Sequence, residues 1–256
     1  MKLKGRGISR GKAEGTILLN DTPISFLGEV NPSTGELIDL PGSSIKDRVF
    51  AFPRGKGSTV GSYVMLEMKR VGTLPTAIIN ESAEPIVATG AVLSEVPLVD
   101  GIDLSLLCEG DLCIIDGSEG TVELPDVKEV HAVSSFIHCG DEVLLLKRSN
   151  KVGSFKDHWA AVSGYVEDGE TAKEAAIREI QEEIGVINPE LIRSGESVKV
   201  RDGNTIWIIH PYLFRINERS ITLDWEHTEY RWMLPDAIKN MKTVPELEEV
   251  YRSLLE

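Results

Sequence analysis

Glu179, Glu182 and Glu183 stand within one short stretch, Arg178-Glu179-Ile180-Gln181-Glu182-Glu183-Ile184-Gly185. On a helix, at about 100° per residue, these three carboxylates fall on one face, while Ile177, Ile180 and Ile184 fall on another and can bury. Carboxylates so close repel one another unless a cation sits among them. A face of hard oxygen ligands suits Mg²⁺ or Mn²⁺. Arg178 is beside Glu179 and one helical turn before Glu182, so it can orient both. The loop from Gly164 to Gly169 precedes this helix and opens backbone groups to a metal and to phosphate. The plainer alternative is a solvated, charged helix face, the usual meaning of a Glu-rich helix.

The wider spacing narrows the choice. Gly164 is followed after five residues by Glu170, then after seven by Arg178-Glu179, then by Ile180, Glu182-Glu183, Gly185 and the apolar Val186. This resembles the Nudix hydrolase signature G-x5-E-x7-R-E-U-x-E-E-x-G-U, where U is apolar, and all nine specified positions match. The resemblance implies metal-dependent attack of water on a diphosphate linkage in a nucleotide or related small molecule. It implies Mg²⁺ or Mn²⁺ as cofactor, with Glu182 and Glu183 as direct ligands and Glu179 as ligand or general base. It further implies that Arg178 orients Glu179, that Glu170 braces the loop–helix turn, and that a backbone carbonyl near Gly164 reaches the metal. In this family the base often comes from outside the signature. Trp225 to Trp232 is a candidate for that contribution: Glu226 or Glu229 as an extra ligand or base, and aromatics such as Trp225 as stacking surfaces for a base. An ordinary strand with alternating core and surface residues is the competing reading.

A second chemical feature is Pro53-Arg54-Gly55-Lys56-Gly57-Ser58-Thr59-Val60-Gly61-Ser62-Tyr63. Its glycines let backbone amides approach an anion, and a helix starting near Ser62 offers its positive end. Arg54 and Lys56 add positive charge beside Gly57. The loop is not a Walker A motif, because Gly57 rather than Ser or Thr follows Lys56. A tight turn with a helix cap from Ser58 or Ser62 is the plain alternative.

Together with Gly5-Arg6-Gly7-Ile8-Ser9-Arg10-Gly11-Lys12-Ala13-Glu14-Gly15 and Pro23-Ile24-Ser25-Phe26-Leu27-Gly28, this loop resembles the aconitase-X swivel domain. That family is the small subunit of archaeal phosphomevalonate dehydratase, and the likeness covers residues 1–124. It implies a swivelling β/β/α domain that closes over a large subunit carrying an iron–sulfur cluster. It implies Ser58 as proton acceptor of a hydro-lyase. A non-catalytic binding module is the other reading of this half. Cys108, Cys113 and Cys139 form no cluster motif, so no iron–sulfur cluster is expected in this chain alone.

These sites need elements to hold them. Val49–Phe52 reads as a strand ended by Pro53, and Ser62–Arg70 as a helix closed by Gly72. Ala77–Ile79 and Ile86–Ala88 read as buried strands, and the stretch 101–124 as a strand pair turning at Asp116–Gly120. After a junction at Pro125–Glu129, His131–His138 and Val143–Arg148 read as a β-hairpin. Trp159–Val166 reads as a strand, Thr171–Ile184 as a helix stopped by Gly185, and Ile206–Ile209 and Tyr212–Phe214 as two strands. Val244–Leu255 reads as a closing helix. The expected architecture is a two-domain α/β chain: a swivelling β/β/α domain over residues 1–124, then a Nudix α/β/α sandwich over 130–256.

Composition bounds the function. The 256 residues carry a formal net charge of −14, which argues against binding a nucleic-acid polymer, since that needs a basic surface. No apolar run approaches a membrane span, and the start Met1-Lys2-Leu3-Lys4-Gly5 lacks the apolar core of a signal peptide, so a cytoplasmic location is expected. The cysteine count is odd and no C-x-x-C occurs, so no disulfide framework is expected, and Cys108 and Cys113, in a strand-like run, read as small buried hydrophobes.

Overall fold

The structure is a computed structural model that describes residues 1–255; Glu256, the last residue of the expected second domain, lies outside the described residues. The chain divides into two compact units, Met1–Lys128 and Glu129–Glu256.

In the first unit the strands are β1 (Lys2–Lys4), β2 (Arg6–Ser9), β3 (Lys12–Leu19), β4 (Val49–Phe52), β5 (Ala77–Asn80), β6 (Leu98–Asp100), β7 (Leu112–Asp116) and β8 (Thr121–Glu123). Their order is β1-β8-β7-β3-β4-β5-β6-β2. β3 joins two kinds of sheet: it pairs antiparallel with β7 and parallel with β4. The parallel half, β3-β4-β5-β6, is crossed by helices α2 (Val60–Val71) and α3 (Pro85–Ser94), following the single turn α1 (Phe26–Glu29). Every residue of β4, β5 and β6 is buried, as befits parallel strands covered on both faces. Phe50, Phe52, Ile78 and Leu98 pack there with Met65 and Met68 of α2 and Val87 and Ala91 of α3.

Two readings of this half need correction. Ile86–Ala88 is not a strand but the first part of α3. The Glu84 carboxylate accepts the amide hydrogens of Ile86 and Val87, both at 2.7 Å, and Pro85 occupies the first turn. This acidic cap and proline are a helix start, and they outweigh the strand-like apolar run. Helix α2 begins at Val60 rather than near Ser62, and Gly72 ends it in the left-handed conformation as expected. Cys113 and Cys139 are buried and Cys108 is half-buried; all three are free thiols.

In the second unit, β9 (Lys128–Cys139) and β10 (Glu142–Arg148) form the expected hairpin, but they pair only next to its turn, through Glu142 with Cys139 and Val143 with His138. Beyond that point they part. β9 continues with β12 (Val162–Tyr165), and β10 with β11 (Trp159–Ala160) and β16 (His227–Met233). The Trp159–Val166 run is thus two strands split at Ala161, serving different partners. The two runs read at 206–209 and 212–214 are one strand, β15 (Thr205–Arg215). Pro211 marks where β15 changes partner, from β14 (Val198–Asp202) to β13 (Glu190–Ser194). The closing helix is shorter than expected. α5 spans Leu247–Ser253, because Pro245 and a left-handed Glu246 precede it and the Val244 amide is held by the Trp159 carbonyl.

Alternation along the strands builds the three layers. Leu144, Leu146, Tyr212 and Phe214 face α4 (Ala172–Ile184) and pack on Ala175, Ala176, Ile180 and Ile184. Val143, Leu145 and Leu213 face the other way, toward Leu247, Val250 and Tyr251 of α5 and Ile238 of the 3₁₀ turn Pro235–Asn240. The result is helix, sheet, helix. Among the described residues no helix is long and apolar enough to cross a membrane.

Candidate active site

A reciprocal cap fixes the start of α4. Thr171 Oγ1 accepts the Glu174 amide hydrogen at 3.3 Å, and the Glu174 carboxylate accepts the Thr171 amide at 2.7 Å. Gly185, left-handed, ends the helix. With both ends fixed and the apolar stripe buried, Glu179 is turned toward β12. Helix and strand approach so closely there that a Cβ on Gly164 would overlap the Glu179 carboxylate. A side chain at this position would have to displace the Glu179 carboxylate.

Arg178 ties the acidic groups together. One terminal nitrogen lies 2.6 Å from Glu179 Oε1 and 3.2 Å from Glu182 Oε2. The other lies 2.7 Å from Glu170 Oε1 and 2.9 Å from the Tyr165 carbonyl oxygen. Glu170 also accepts the Glu167 amide hydrogen at 2.8 Å, which closes the loop ahead of the helix. The Arg178 guanidinium holds the Glu170 carboxyl below its ordinary pKa, and its carboxylate partners, Glu170 first, raise that of Arg178.

The other carboxylates sit in contrasting surroundings. The Glu182 side chain is 60% exposed. Burial raises the pKa of Glu179 against the opposing pull of Arg178. Glu183 is 4% exposed, and burial, with the nearby Glu179 charge, pushes its carboxyl well above the ordinary range. Its Oε1 accepts the Ser163 amide hydrogen at 3.4 Å, whereas Oε2 has no hydrogen-bond partner among the protein groups. The buried His227 stands next to it, with Nε2 at 3.8 Å from Oε2. His227 Nδ1 lies 2.9 Å from Asp224 Oδ1, which also accepts the Glu226 amide hydrogen at 3.1 Å. Burial lowers the His227 pKa.

A buried carboxylate with an unpartnered oxygen, beside a second carboxylate raised by burial, is a donor set that fits a divalent cation. Among the described residues no three His, Cys, Asp or Glu donors already converge as a closed cage. Such an open set suits an ion that keeps water and phosphate oxygens among its ligands.

Where β9 and β10 part, a cleft of about 320 Å³ opens. Gly164, Glu179 and Glu226 line it together with Arg148, Tyr165 and Trp207. The Tyr165 and Trp207 ring centroids are 5.7 Å apart, inclined at 41°. Trp225 and Glu229 are not among its lining residues. Trp225 precedes β16 and is 61% exposed, and Glu229 pairs with Arg231 at 2.7 Å. Tyr165 and Trp207 bring aromatic rings to the wall of the cleft. Sequence reasoning missed both, as it missed Arg148, Asp224 and His227. One signal was available: Ile206 and Ile208 are buried and Trp207 alternates with them, so its ring faces away from the core.

In the first unit, the Pro53–Thr59 loop leaves Arg54, Lys56, Gly57 and Ser58 exposed. Gly57 takes a left-handed φ of 101°, with the Ser25 hydroxyl close to where a Cβ would lie. Ser58 Oγ accepts the Val60 amide hydrogen at 3.3 Å, which places it at the start of α2. Lys56 Nζ is 2.7 Å from Glu29 Oε1, so its charge already has a partner.

A family model for the aconitase X swivel domain matches residues 2–124, and one for the NUDIX domain matches residues 128–254. The phosphomevalonate dehydratase small subunit of Methanosarcina acetivorans is 56% identical over 131 residues, covering 48% of this chain and 91% of that protein. The protein of the same name from Pyrococcus furiosus is 52% identical over 128 residues, covering 48% of this chain and 96% of that protein. The crystal structure of Thermococcus kodakaraensis aconitase X in its holo-form covers 48% of this chain and 98% of its own at 49% identity, with a TM-score of 0.47. The crystal structure of the MutT protein from Methanosarcina mazei covers 50% of this chain and 93% of its own at 24% identity, with a TM-score of 0.44.

Proposed function

The chain belongs to the aconitase X swivel domain family through its N-terminal half and to the NUDIX family through its C-terminal half, and from that premise we propose that it cleaves a diphosphate linkage in a nucleotide or related small molecule with Mg²⁺ or Mn²⁺. The observation that carries this reading is the buried Glu183 with its unpartnered oxygen, set beside the Arg178-held Glu179 on the edge of a cleft. Glu179, Glu182 and Glu183, with the backbone at Gly164, would hold the ion. When bound, it supplies positive charge to the phosphate oxygens and lowers the pKa of water.

The chain's own groups do the rest. Arg178 keeps Glu179 in one orientation, and Glu170 keeps Arg178 and the loop in place. Glu179 or Glu226, both lining the cleft, takes the proton of the attacking water. Arg148 is the one Lys or Arg among the described residues lining the cleft, and it meets the phosphates. Tyr165 and Trp207 offer ring faces to the organic part of the substrate. The test is phosphate release from the full chain with Mg²⁺ or Mn²⁺, over nucleoside diphosphates and triphosphates, dinucleoside polyphosphates and isoprenoid diphosphates. Turnover of one class is expected. No turnover of any would reject the reading.

A second activity is favoured by the identity of the N-terminal half to dehydratase small subunits. In this reading residues 1–124 serve as the small subunit of a hydro-lyase whose large subunit holds the iron–sulfur cluster. Arg54, Lys56 and Gly57 bind an anionic substrate there, and Ser58 accepts a proton. Helices α2 and α3 leave Tyr63, Leu66, Val92 and Leu93 exposed, an apolar surface suited to a partner. Reconstitution with a cluster-bearing large subunit should give dehydration that Ser58→Ala abolishes. Absence of any complex would leave this half as a binding module without turnover.

A further inference from the structure

The buried contact between Glu183 and His227 does not close as a hydrogen bond. Asp224 is a carboxylate that also accepts the Glu226 amide hydrogen, so the bond at 2.9 Å is donated by His227 Nδ1–H. With the proton on Nδ1, Nε2 carries a lone pair. It faces Glu183 Oε2, the carboxylate oxygen without a partner, across 3.8 Å. Both side chains are nearly sealed from solvent, at 1% for His227 and 5% for Glu183. When Glu183 is ionised, as a cation would require, two electron-pair donors face each other in a site of low polarity. Hydrogen bonds reach only about 3.2 Å. Metal–nitrogen and metal–oxygen bonds of about 2.1 Å each span about 3.0 Å at a right angle and about 4.2 Å when collinear. The observed gap lies between those limits, so an ion can bridge it.

We propose that His227 is a metal ligand: Glu183 Oε2 and His227 Nε2 form one position for a divalent first-row transition ion, which makes the site favour Mn²⁺, Co²⁺ or Zn²⁺ over Mg²⁺. Mg²⁺ takes hard oxygen ligands, whereas imidazole nitrogen suits the transition ions. Asp224 is then the carboxylate behind the histidine, fixing its tautomer and ring orientation. The same residue ties the site to the segment that carries Glu226, whose amide it also holds. The proposal rests on the metal-dependent reading of the carboxylate cluster and adds a nitrogen donor that the signature helix does not contain.

The test is pulsed electron paramagnetic resonance of the full chain loaded with Mn²⁺, prepared with natural-abundance and with ¹⁵N-labelled histidine. Directly bound imidazole should give a nitrogen modulation that changes with the label; this needs no variant. His227→Gln and Asp224→Asn are compared next, each first checked for a cooperative thermal transition without metal. His227→Gln should abolish the modulation and weaken Co²⁺ binding by about tenfold or more, with Mg²⁺ binding changed far less. Asp224→Asn should weaken Co²⁺ binding by about 10- to 100-fold. Mn²⁺ that binds without nitrogen modulation, or equal losses for Mg²⁺ and Co²⁺ in His227→Gln, would overturn the nitrogen ligand. If diphosphates are still cleaved in that case, the hydrolase reading stands. No metal binding and no diphosphate cleavage would remove both.

Discussion

Glu183 is a buried carboxylate of the second unit, with Glu179, Asp224 and Glu226 near it. Burial raises its pKa, so folding favours the neutral form. A raised carboxyl contributes stability below the unfolded value near 4.5 and loses it as pH rises through the folded value. Without metal, the melting temperature should therefore fall as pH climbs above the ordinary carboxylate range. A divalent ion should restore it, and Glu183→Gln should flatten the slope. A flat wild-type profile in chelator would refute this. Glu179 is shifted in the same direction and adds to the effect. In catalysis, Glu182→Gln and Glu183→Gln should each cost several kcal/mol of transition-state stabilisation. Titration of activity against Mg²⁺ and Mn²⁺ reads this out, and unchanged rates in both variants would sink it.

At the scale of elements, the close approach of α4 to β12 sets the site. Gly164→Ala should displace the Glu179 carboxylate, because the added methyl needs the same space. The fold should survive, since the added methyl meets the tip of the Glu179 side chain, which can move, rather than backbone. The expected outcome is a loss of activity of about tenfold or more, in line with small misplacements of catalytic groups, with the thermal transition shifted only slightly. Kinetics and melting of the same preparation decide. Full activity in Gly164→Ala would show that Glu179 need not hold its place. Much of this arrangement was legible: the caps, the apolar stripe and the spacing of the carboxylates are encoded within one helix and the loop before it. The reading of Ile86–Ala88 failed because three apolar residues carry no period, although Glu84-Pro85 marked a helix start.

For the whole molecule, each unit has its own core. One is built on Phe50, Phe52 and Ile78, the other on Phe136, Leu145 and Phe214 around the sheet that begins with β9. Separately expressed halves, cut within Pro125–Glu129, should each unfold cooperatively in calorimetry. The C-terminal half alone should retain diphosphate hydrolysis. A half that shows no cooperative transition would mean that the boundary is wrong or that the units depend on each other.

The sequence by itself determined the two resemblances, the ends of α4, and the grouping of Arg178 with Glu179 and Glu182. Those follow from capping, period and spacing, which act over a few residues. Only the tertiary structure decided which other side chains join them. Arg148 ends β10, Tyr165 ends β12 and Trp207 lies near the start of β15, and they meet because β9 and β10 part where they do. His227 and Asp224 reach Glu183 through the pairing of β16 with β10 and the return of the chain beside α4. Strand register and burial depend on the packing of the whole sheet, and a one-residue slip would turn each of these side chains to the opposite face.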